Sequence, residues 1–305
     1  MGNSNEEILM LYSNADENVL GFVRAFVFGI WFLAILFDPI QQLAELPIEI
    51  FEPVGLLSFL PDGFWEIALT ENFLLGLKIT LLVLLLLASL GTKFFQPIAT
   101  FVALLLTLEQ GIIRGFGFVN HKELAILYAV YILAIFPSAD GFSLQKSKPK
   151  SQETYAFAMF FITSVILLAY SIIAIHRVTN AGFEIFEGES IRFYIAKLTF
   201  TGSLYENKFG ILVLINEFLN SLVNFGFVLT TVLEILSPLC LFYKKIRWFW
   251  LVVIGVFHFA TLFLMNIFFW QNLLLLIVLL TEISQNFITQ KETSHPMVSS
   301  SSDEF

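Results

Sequence analysis

The sequence predicts an all-α integral membrane protein, a polytopic bundle of about eight transmembrane helices joined in places by interfacial or re-entrant segments. Hydrophobic residues make up 57% of the 305 residues and charged residues only 13%, and the mean hydropathy is +0.82. A soluble domain carries roughly one charged residue in four, so the composition excludes that class. The apolar residues also form runs of about 17 to 25, the length that a helix needs to cross ~30 Å of hydrocarbon.

Six apolar runs and one longer apolar stretch define the predicted spans. The runs lie near residues 19–37, 71–90, 94–113, 122–137, 155–175 and 211–241, and the stretch covers residues 248–283. A single helix over that stretch would measure ~54 Å, which is too long for one crossing. We therefore divide it around Met265-Asn266-Ile267, and eight spans result.

Two segments between the spans have a different pattern. Residues 39–70 combine four prolines with apolar stretches too short to cross, such as Val54 to Leu60, which predicts an interfacial or re-entrant segment. Residues 178–209 contain the mixed stretch Ile191 to Leu198, which is typical of an amphipathic helix at the membrane surface.

The distribution of lysine and arginine predicts the orientation, because cytoplasmic loops carry an excess of both. With the N terminus inside, the short inner loops hold Lys93, Lys146, Lys148, Lys150, Lys244, Lys245 and Arg247. The acidic segment 39–70 has no basic residue and falls outside. Segment 1–18 and the polar, Ser-rich tail 284–305, which we predict to be disordered, then flank the transmembrane domain 19–283 on the cytoplasmic side.

Composition and motifs exclude several function classes. The net charge of −9 comes mostly from acids in one loop and at the two ends, so the predicted partner is the lipid bilayer and no nucleic acid is expected. The single cysteine, Cys240, allows no intrachain disulfide, and the four histidines lie too far apart in sequence to predict a metal site. Walker A, G-x-G-x-x-G, G-x-S-x-G and H-E-x-x-H motifs are missing.

Polar residues inside the spans are the candidate functional groups, because they are costly in lipid and usually face the bundle interior. Run 211–241 carries five of them in a stripe ~100° wide: Glu217, Asn220, Asn224, Thr231 and Glu234. The stripe is either a packing face or one wall of a polar cavity. Glu234 lies deep in the run and needs a partner or a proton, and Arg24 and Lys78 are the intramembrane cations expected to pair with it.

The histidines form a second set of candidates. His258 lies in the apolar stretch Val256 to Ala260, where it is either a structural hydrogen-bond donor or a proton acceptor. His121 and the pair His176-Arg177 fall at predicted helix ends, where interfacial anchoring is the simpler interpretation.

Six short blocks occur in a fixed order along residues 20–283. They are Val23-Arg24 in the first span, Asn120-His121 with Phe136 to Leu144, Tyr170 to Arg177, Glu187-Gly188, Leu233-Glu234-Ile235, and Phe257-His258 with Asn266 to Phe268. In this order they resemble the horizontally transferred transmembrane (HTTM) domain family, which is also the membrane part of vitamin K-dependent γ-carboxylase. The resemblance implies the same membrane scaffold.

The departures from the family pattern concern its chemistry. The family's carboxylases use a lysine of a K-K pair as the base that activates vitamin K hydroquinone, and these positions hold His176 and Arg177. Arginine cannot be a general base because it stays protonated in proteins. Ala174 and Ile185 replace an expected glycine and tryptophan, and the chain ends about twenty residues after the last span, without the large lumenal domain. We therefore expect the carboxylase scaffold without competent carboxylase activity.

The resulting hypothesis is a stand-alone HTTM-like protein that binds a lipophilic ligand, a lipid or a quinone, in an intramembrane polar cavity. The predicted ligand-binding residues are Glu234, Arg24, Lys78, Arg177 and Asn224, and a redox or proton-transfer version would use His176 or His258 as catalytic base. Two alternatives stay open: a non-enzymatic membrane scaffold or small transporter, and an intramembrane acyltransferase that uses His258.

Overall fold

The structure is a computed structural model that describes residues 15–117, 123–145, 147–201 and 208–281, and every regular element in these ranges is helical. The described residues form α1 Glu17–Phe37, α2 Asp62–Ala68, α3 Glu71–Leu90, α4 Phe95–Gly115, α5 Leu124–Ile135, α6 Gln152–Ala181, α7 Glu189–Thr201, α8 Lys208–Ile215, α9 Glu217–Ile235, α10 Lys244–Met265 and α11 Trp270–Leu280. The predicted all-α class is confirmed for this part of the chain. Residues 1–14, His121, Lys146 and the predicted tail 284–305 lie outside it.

Six of these helices are long and apolar enough to cross a membrane: α1, α3, α4, α6, α9 and α10. Two more apolar helices are shorter, with 12 residues in α5 and 11 in α11. At 1.5 Å per residue they measure about 16 to 18 Å, which is less than the ~30 Å hydrocarbon layer. Length and composition therefore give a multi-pass membrane bundle with six long apolar helices.

The apolar run 211–241 is not a single helix, and this part of the prediction is wrong. α8 ends at Ile215, Asn216 has extended backbone angles (φ −114°, ψ 109°), and α9 begins at Glu217. The Asn216 side chain accepts a hydrogen bond from the Leu219 N–H at 3.0 Å and so caps α9. At the other end, the 3-10 segment Ser237–Leu241 follows α9 and contains a proline. The helix stops there because proline lacks the N–H needed to continue it.

The predicted division of the stretch 248–283 is confirmed. α10 ends at Met265, and Asn266 adopts the left-handed conformation with φ 55° and ψ 27°. Asparagine tolerates this conformation better than most residues, so it is a suitable helix terminator. α11 then begins at Trp270 and returns against α10.

Segment 39–70 contains no spanning helix, in agreement with its proline content. It forms three 3-10 segments, Ile40–Glu45, Ile48–Ile50 and Gly55–Phe59, followed by α2. The mixed stretch in 178–209 forms α7, in which Ile191 and Ile195 are buried and Phe193 and Tyr194 are exposed. Its position at the membrane surface stays a prediction.

The buried apolar residues form two clusters. The larger joins α1, α3, α4, α5, α6, α10 and α11 and includes Trp31 and Leu81. The smaller joins the 3-10 segment Gly182–Phe186 to α7, α8 and α9 and includes Ile195 and Phe227. α6 and α10 reach residues of both clusters, and a cavity lies along them.

Candidate functional site

A cavity of about 660 Å³ lies among α5, α6, α7, α9, α10 and the start of α11. Most of its wall is apolar and includes Leu168, Ile172, Phe227, Phe257 and Phe269. Its polar lining side chains include Tyr170, Arg177, Glu234, His258 and Asn272. Apolar walls with a few convergent polar groups are the usual form of a small-molecule site.

An ion pair between α6 and α9 lies at this cavity. The Nη1 atom of Arg177 donates to Oε2 of Glu234 at 2.8 Å and to the Thr231 hydroxyl at 3.0 Å. The guanidinium also lies 5.3 Å from the centre of the Phe227 ring. The Glu234 side chain is only 5% exposed and that of Arg177 is 26% exposed. The Glu234 carboxylate thus has a cationic partner, which a charged group buried in a membrane span needs because an unpaired charge there is costly.

This partner differs from the two that the sequence suggested. We expected Arg24 or Lys78 beside Glu234, and the structure shows Arg177 there instead. α6 runs to Ala181, six residues beyond the predicted end of its span, so Arg177 is still helical and lies about one turn before the helix ends. The anchoring interpretation of Arg177 therefore lacked this ion pair with Glu234.

Two interhelical hydrogen bonds explain why Glu234 faces α6. The Ser171 hydroxyl donates to the Ile235 carbonyl at 2.9 Å, and the Ser237 hydroxyl lies 2.7 Å from two carbonyl oxygens, that of Leu167 on α6 and that of Glu234 on α9. They bind the end of α9 to the middle of α6. The long side chain of Arg177 then extends back toward the N terminus of α6, the direction that helical geometry favours, and reaches Glu234.

A second polar contact joins α6 to α10. The Tyr170 hydroxyl lies 3.3 Å from Nε2 of His258, and both residues are buried. Tyr170 packs edge-on against Trp250 with ring centroids 5.4 Å apart, and the His258 ring lies 5.1 Å from the Phe269 ring. Within the described part of the chain, Nδ1 of His258 has no hydrogen-bond partner. His258 is thus a lining residue of the cavity with one unused ring nitrogen.

The other two predicted cations do not line this cavity. Arg24 is fully buried, donates a hydrogen bond to the Phe142 carbonyl and lies 5.7 Å from the centre of the Phe95 ring. The ammonium of Lys78 donates to the Asp38 carbonyl at 2.5 Å. Both cations therefore contact backbone oxygens of neighbouring segments.

Two further predicted residues also lie outside the cavity lining. The Asn224 amide donates to the Phe186 carbonyl at 3.3 Å, which connects α9 to the 3-10 segment before α7. His176 is exposed, and its Nε2 lies 2.8 Å from the Asn180 amide nitrogen. The polar stripe of α9 therefore divides in two, with only its Glu234 end at the cavity.

Sequence reasoning missed Asn272 and placed Tyr170 only within the HTTM resemblance. Asn272 lies one residue after Gln271 at the start of α11, in a run that is otherwise apolar. Polar residues in that context were a usable signal, by the same rule that selected Glu234. Tyr170 gave no such signal, because tyrosine is common in apolar helices and its hydroxyl partner comes from a distant helix.

The site combines a neutral ion pair, a tyrosine–histidine contact and an apolar wall, which is an arrangement suited to an amphiphilic molecule. Comparison of the chain with protein-family models, with curated proteins and with solved structures finds no match.

Proposed function

We propose that this protein is an HTTM-like integral membrane protein that binds a lipophilic molecule, a lipid or a quinone, in the cavity beside α6, α9 and α10. The observation that carries this proposal is the cavity itself, with a volume of about 660 Å³, a mostly apolar wall and few polar side chains. Its volume falls within the range of about 300 to 1,000 Å³ usual for small-molecule sites. The six ordered residue blocks support the HTTM part of the proposal.

Purification and lipid extraction test the ligand-binding proposal. The protein in nanodiscs is expected to carry an enriched lipophilic compound that mass spectrometry detects. Ala169→Phe fills the cavity and is expected to lower the amount of this compound by about tenfold, or ~1.4 kcal/mol. Ile175→Phe adds an aromatic ring on the same helix outside the lining, at an exposed position, and serves as the matched control.

Equal compound in both variants would overturn the cavity as the binding site. The absence of any enriched lipophile from the wild-type protein would favour the alternative, a scaffold or small transporter.

The proposal excludes competent vitamin K-dependent carboxylation. At the two positions of the K-K pair, Arg177 forms an ion pair with Glu234, and His176 lies outside the cavity lining. Neither arrangement supplies a free base at the cavity. With reduced vitamin K and a Glu-containing peptide, the purified protein is expected to incorporate no labelled carbon dioxide, and incorporation that depends on turnover would contradict this.

We also infer eight membrane crossings with both termini cytoplasmic. Two hydrogen bonds support this alternation: the Leu144 N–H donates to the Leu90 carbonyl at 3.0 Å, and the Glu52 N–H donates to the Gly115 carbonyl at 2.9 Å. The first joins the proposed inner loops, and the second joins the acidic segment 39–70 to the proposed outer end of α4. α5 and α11 are shorter than the hydrocarbon layer, but most of their residues are buried. Neighbouring helices therefore surround them, and these two crossings are mostly shielded from lipid.

Cysteine labelling tests this topology. In a Cys240→Ala background, a cysteine in place of the exposed Ser147 is expected to resist a membrane-impermeant reagent in intact cells and to react after permeabilisation. Labelling in intact cells would reverse the orientation.

A further inference from the structure

The ion pair at the cavity leaves several hydrogen-bonding atoms unused. A guanidinium has five N–H groups, and the two of Arg177 Nη1 are directed at Glu234 and Thr231. Within the described part of the chain, Nε and Nη2 of Arg177 form no hydrogen bond, and neither atom is enclosed by protein. Oε1 of Glu234 is likewise without a partner there and is not enclosed. Donors and an acceptor therefore lie side by side at one cavity wall.

The charge at this wall is balanced. Among the described residues that line the cavity, Arg177 and Glu234 carry the only formal charges at neutral pH, and they cancel. An anionic head group beside the guanidinium would also lie close to the carboxylate, so attraction and repulsion would largely offset each other. The desolvation of the anion would remain uncompensated. An uncharged head group avoids this cost.

The unused atoms also define what an uncharged head group must offer. It needs an oxygen that accepts from Arg177 and a hydrogen that it donates to Glu234. A hydroxyl is the smallest group with both capacities, whereas an ester or ether oxygen only accepts. The apolar remainder of the cavity, with Leu168, Ile172 and Phe257 in its wall, suits a hydrocarbon chain.

We propose that the ligand is an uncharged aliphatic lipid with a free hydroxyl, of the long-chain alcohol or monoacylglycerol class, held between Arg177 and Glu234. This inference rests on the proposed ligand-binding function and names its chemical class. It assigns Arg177 as hydrogen-bond donor, Glu234 as acceptor, and the neutrality of their pair as the reason that anionic lipids are rejected.

Probes of one chain length separate the head groups. Delipidated protein is titrated with oleyl alcohol, 1-monooleoylglycerol, methyl oleate and oleate, and binding is read by native mass spectrometry and by thermal shift. Both hydroxyl lipids are expected to bind at least about tenfold more tightly than methyl oleate, which only accepts, and than oleate, which is charged. Equal binding of the two hydroxyl probes would show that the hydroxyl is the group recognised. Tighter binding of one of them would identify the ligand as a long-chain alcohol or as a monoacylglycerol.

A charge variant tests the neutrality argument. Glu234→Gln leaves the guanidinium without a counter-charge, so the preference is expected to reverse, with oleate bound about tenfold more tightly than oleyl alcohol. Glu217→Gln removes the same charge from an exposed position on the same helix and is expected to keep the wild-type preference. If Glu234→Gln does not fold, the ranking of the four probes on the wild-type protein decides.

The outcomes distinguish failure of the hydroxyl-lipid class from failure of the proposed ligand-binding function. Wild-type protein that binds oleate as tightly as oleyl alcohol overturns the hydroxyl class and leaves ligand binding intact. Failure of all four probes, while another lipophile co-purifies, overturns the class alone. Absence of any enriched lipophile overturns the proposed function itself.

Discussion

Arg24 and Arg177 both lie within apolar helices of this protein, and their surroundings are opposite. Arg177 is partly exposed at a cavity and has a carboxylate partner at 2.8 Å. Arg24 is fully buried, and in the described residues its hydrogen bond goes to the Phe142 carbonyl and its cation–π contact to the Phe95 ring. The sequence placed Arg24 inside a span and Arg177 at a predicted helix end, whereas the structure distinguishes them by the counter-charge and the open space beside Arg177. A charged residue in a span is therefore a candidate for ligand binding when it has a counter-charge and when a ligand can reach it through a cavity.

Close packing confirms the difference at Arg24. Gly91, which ends α3, has φ +65°, and a Cβ atom there would collide with the guanidinium of Arg24. The left-handed backbone conformation favours glycine at this position, and the lack of a side chain lets the guanidinium pack against it. The Arg24 site is thus closed by protein, whereas the Arg177 site opens on a cavity.

The largest expected effect follows from removing Arg177. Arg177→Met leaves Glu234 buried without a cation, and breaking a buried pair in this way costs about 3 to 5 kcal/mol. The melting temperature of the purified protein is expected to fall accordingly. A melting temperature equal to that of wild type would show that the pair does not stabilise the fold.

The double variant Arg177→Met with Glu234→Gln sharpens this test. It removes both charges, so it is expected to recover most of the stability lost in Arg177→Met. Lys78→Met with Glu234→Gln is the control, because Lys78 contacts the Asp38 carbonyl and not Glu234. Rescue by the Lys78 combination would contradict the observed pairing.

Much of the fold was predictable because apolar run length is a strong signal. The break at Asn266 followed from length alone, since one helix over that stretch would overshoot the membrane. The break at Asn216 was missed because its cause is local: one asparagine side chain that caps the next helix. The Asn216 side chain competes with the helix for a backbone N–H, and the pattern of apolar residues gives no sign of such a competition.

The site was predicted less well than the fold. Glu234 and His258 were found because polar residues stand out in apolar helices, and both line the cavity. The partner of Glu234 was not found, because pairing depends on how α6 and α9 align. The hydroxyls of Ser171 and Ser237 contact backbone carbonyls where the two helices meet, and such contacts leave no pattern in the sequence.

A smaller effect is expected at the tyrosine–histidine contact beside the ion pair. Tyr170→Phe removes the hydroxyl 3.3 Å from Nε2 of His258 and leaves the aromatic packing in place. The expected loss is about 0.5 to 1 kcal/mol, because the bond is long and net hydrogen-bond contributions are modest. Thermal melts of Tyr170→Phe and His258→Gln, compared with their double variant, measure the coupling, and purely additive losses would show that the contact is not a hydrogen bond.

The smallest effect is expected at Arg24, despite its complete burial. Arg24→Met gives up one hydrogen bond from a charged donor, worth about 1.5 to 3 kcal/mol, and a contact with the Phe95 ring. It also removes a cation whose burial costs several kcal/mol and which no carboxylate among the described residues offsets. These contributions have opposite signs and similar size, so the net change in unfolding free energy is expected to lie within about 1 kcal/mol of zero. Lys93→Met, at an exposed position in the turn after α3, removes the same charge without the burial and serves as the control in thermal melts. A loss at Arg24 as large as that of Arg177→Met would mean that its charge is compensated after all, and the contrast between the two arginines would fail.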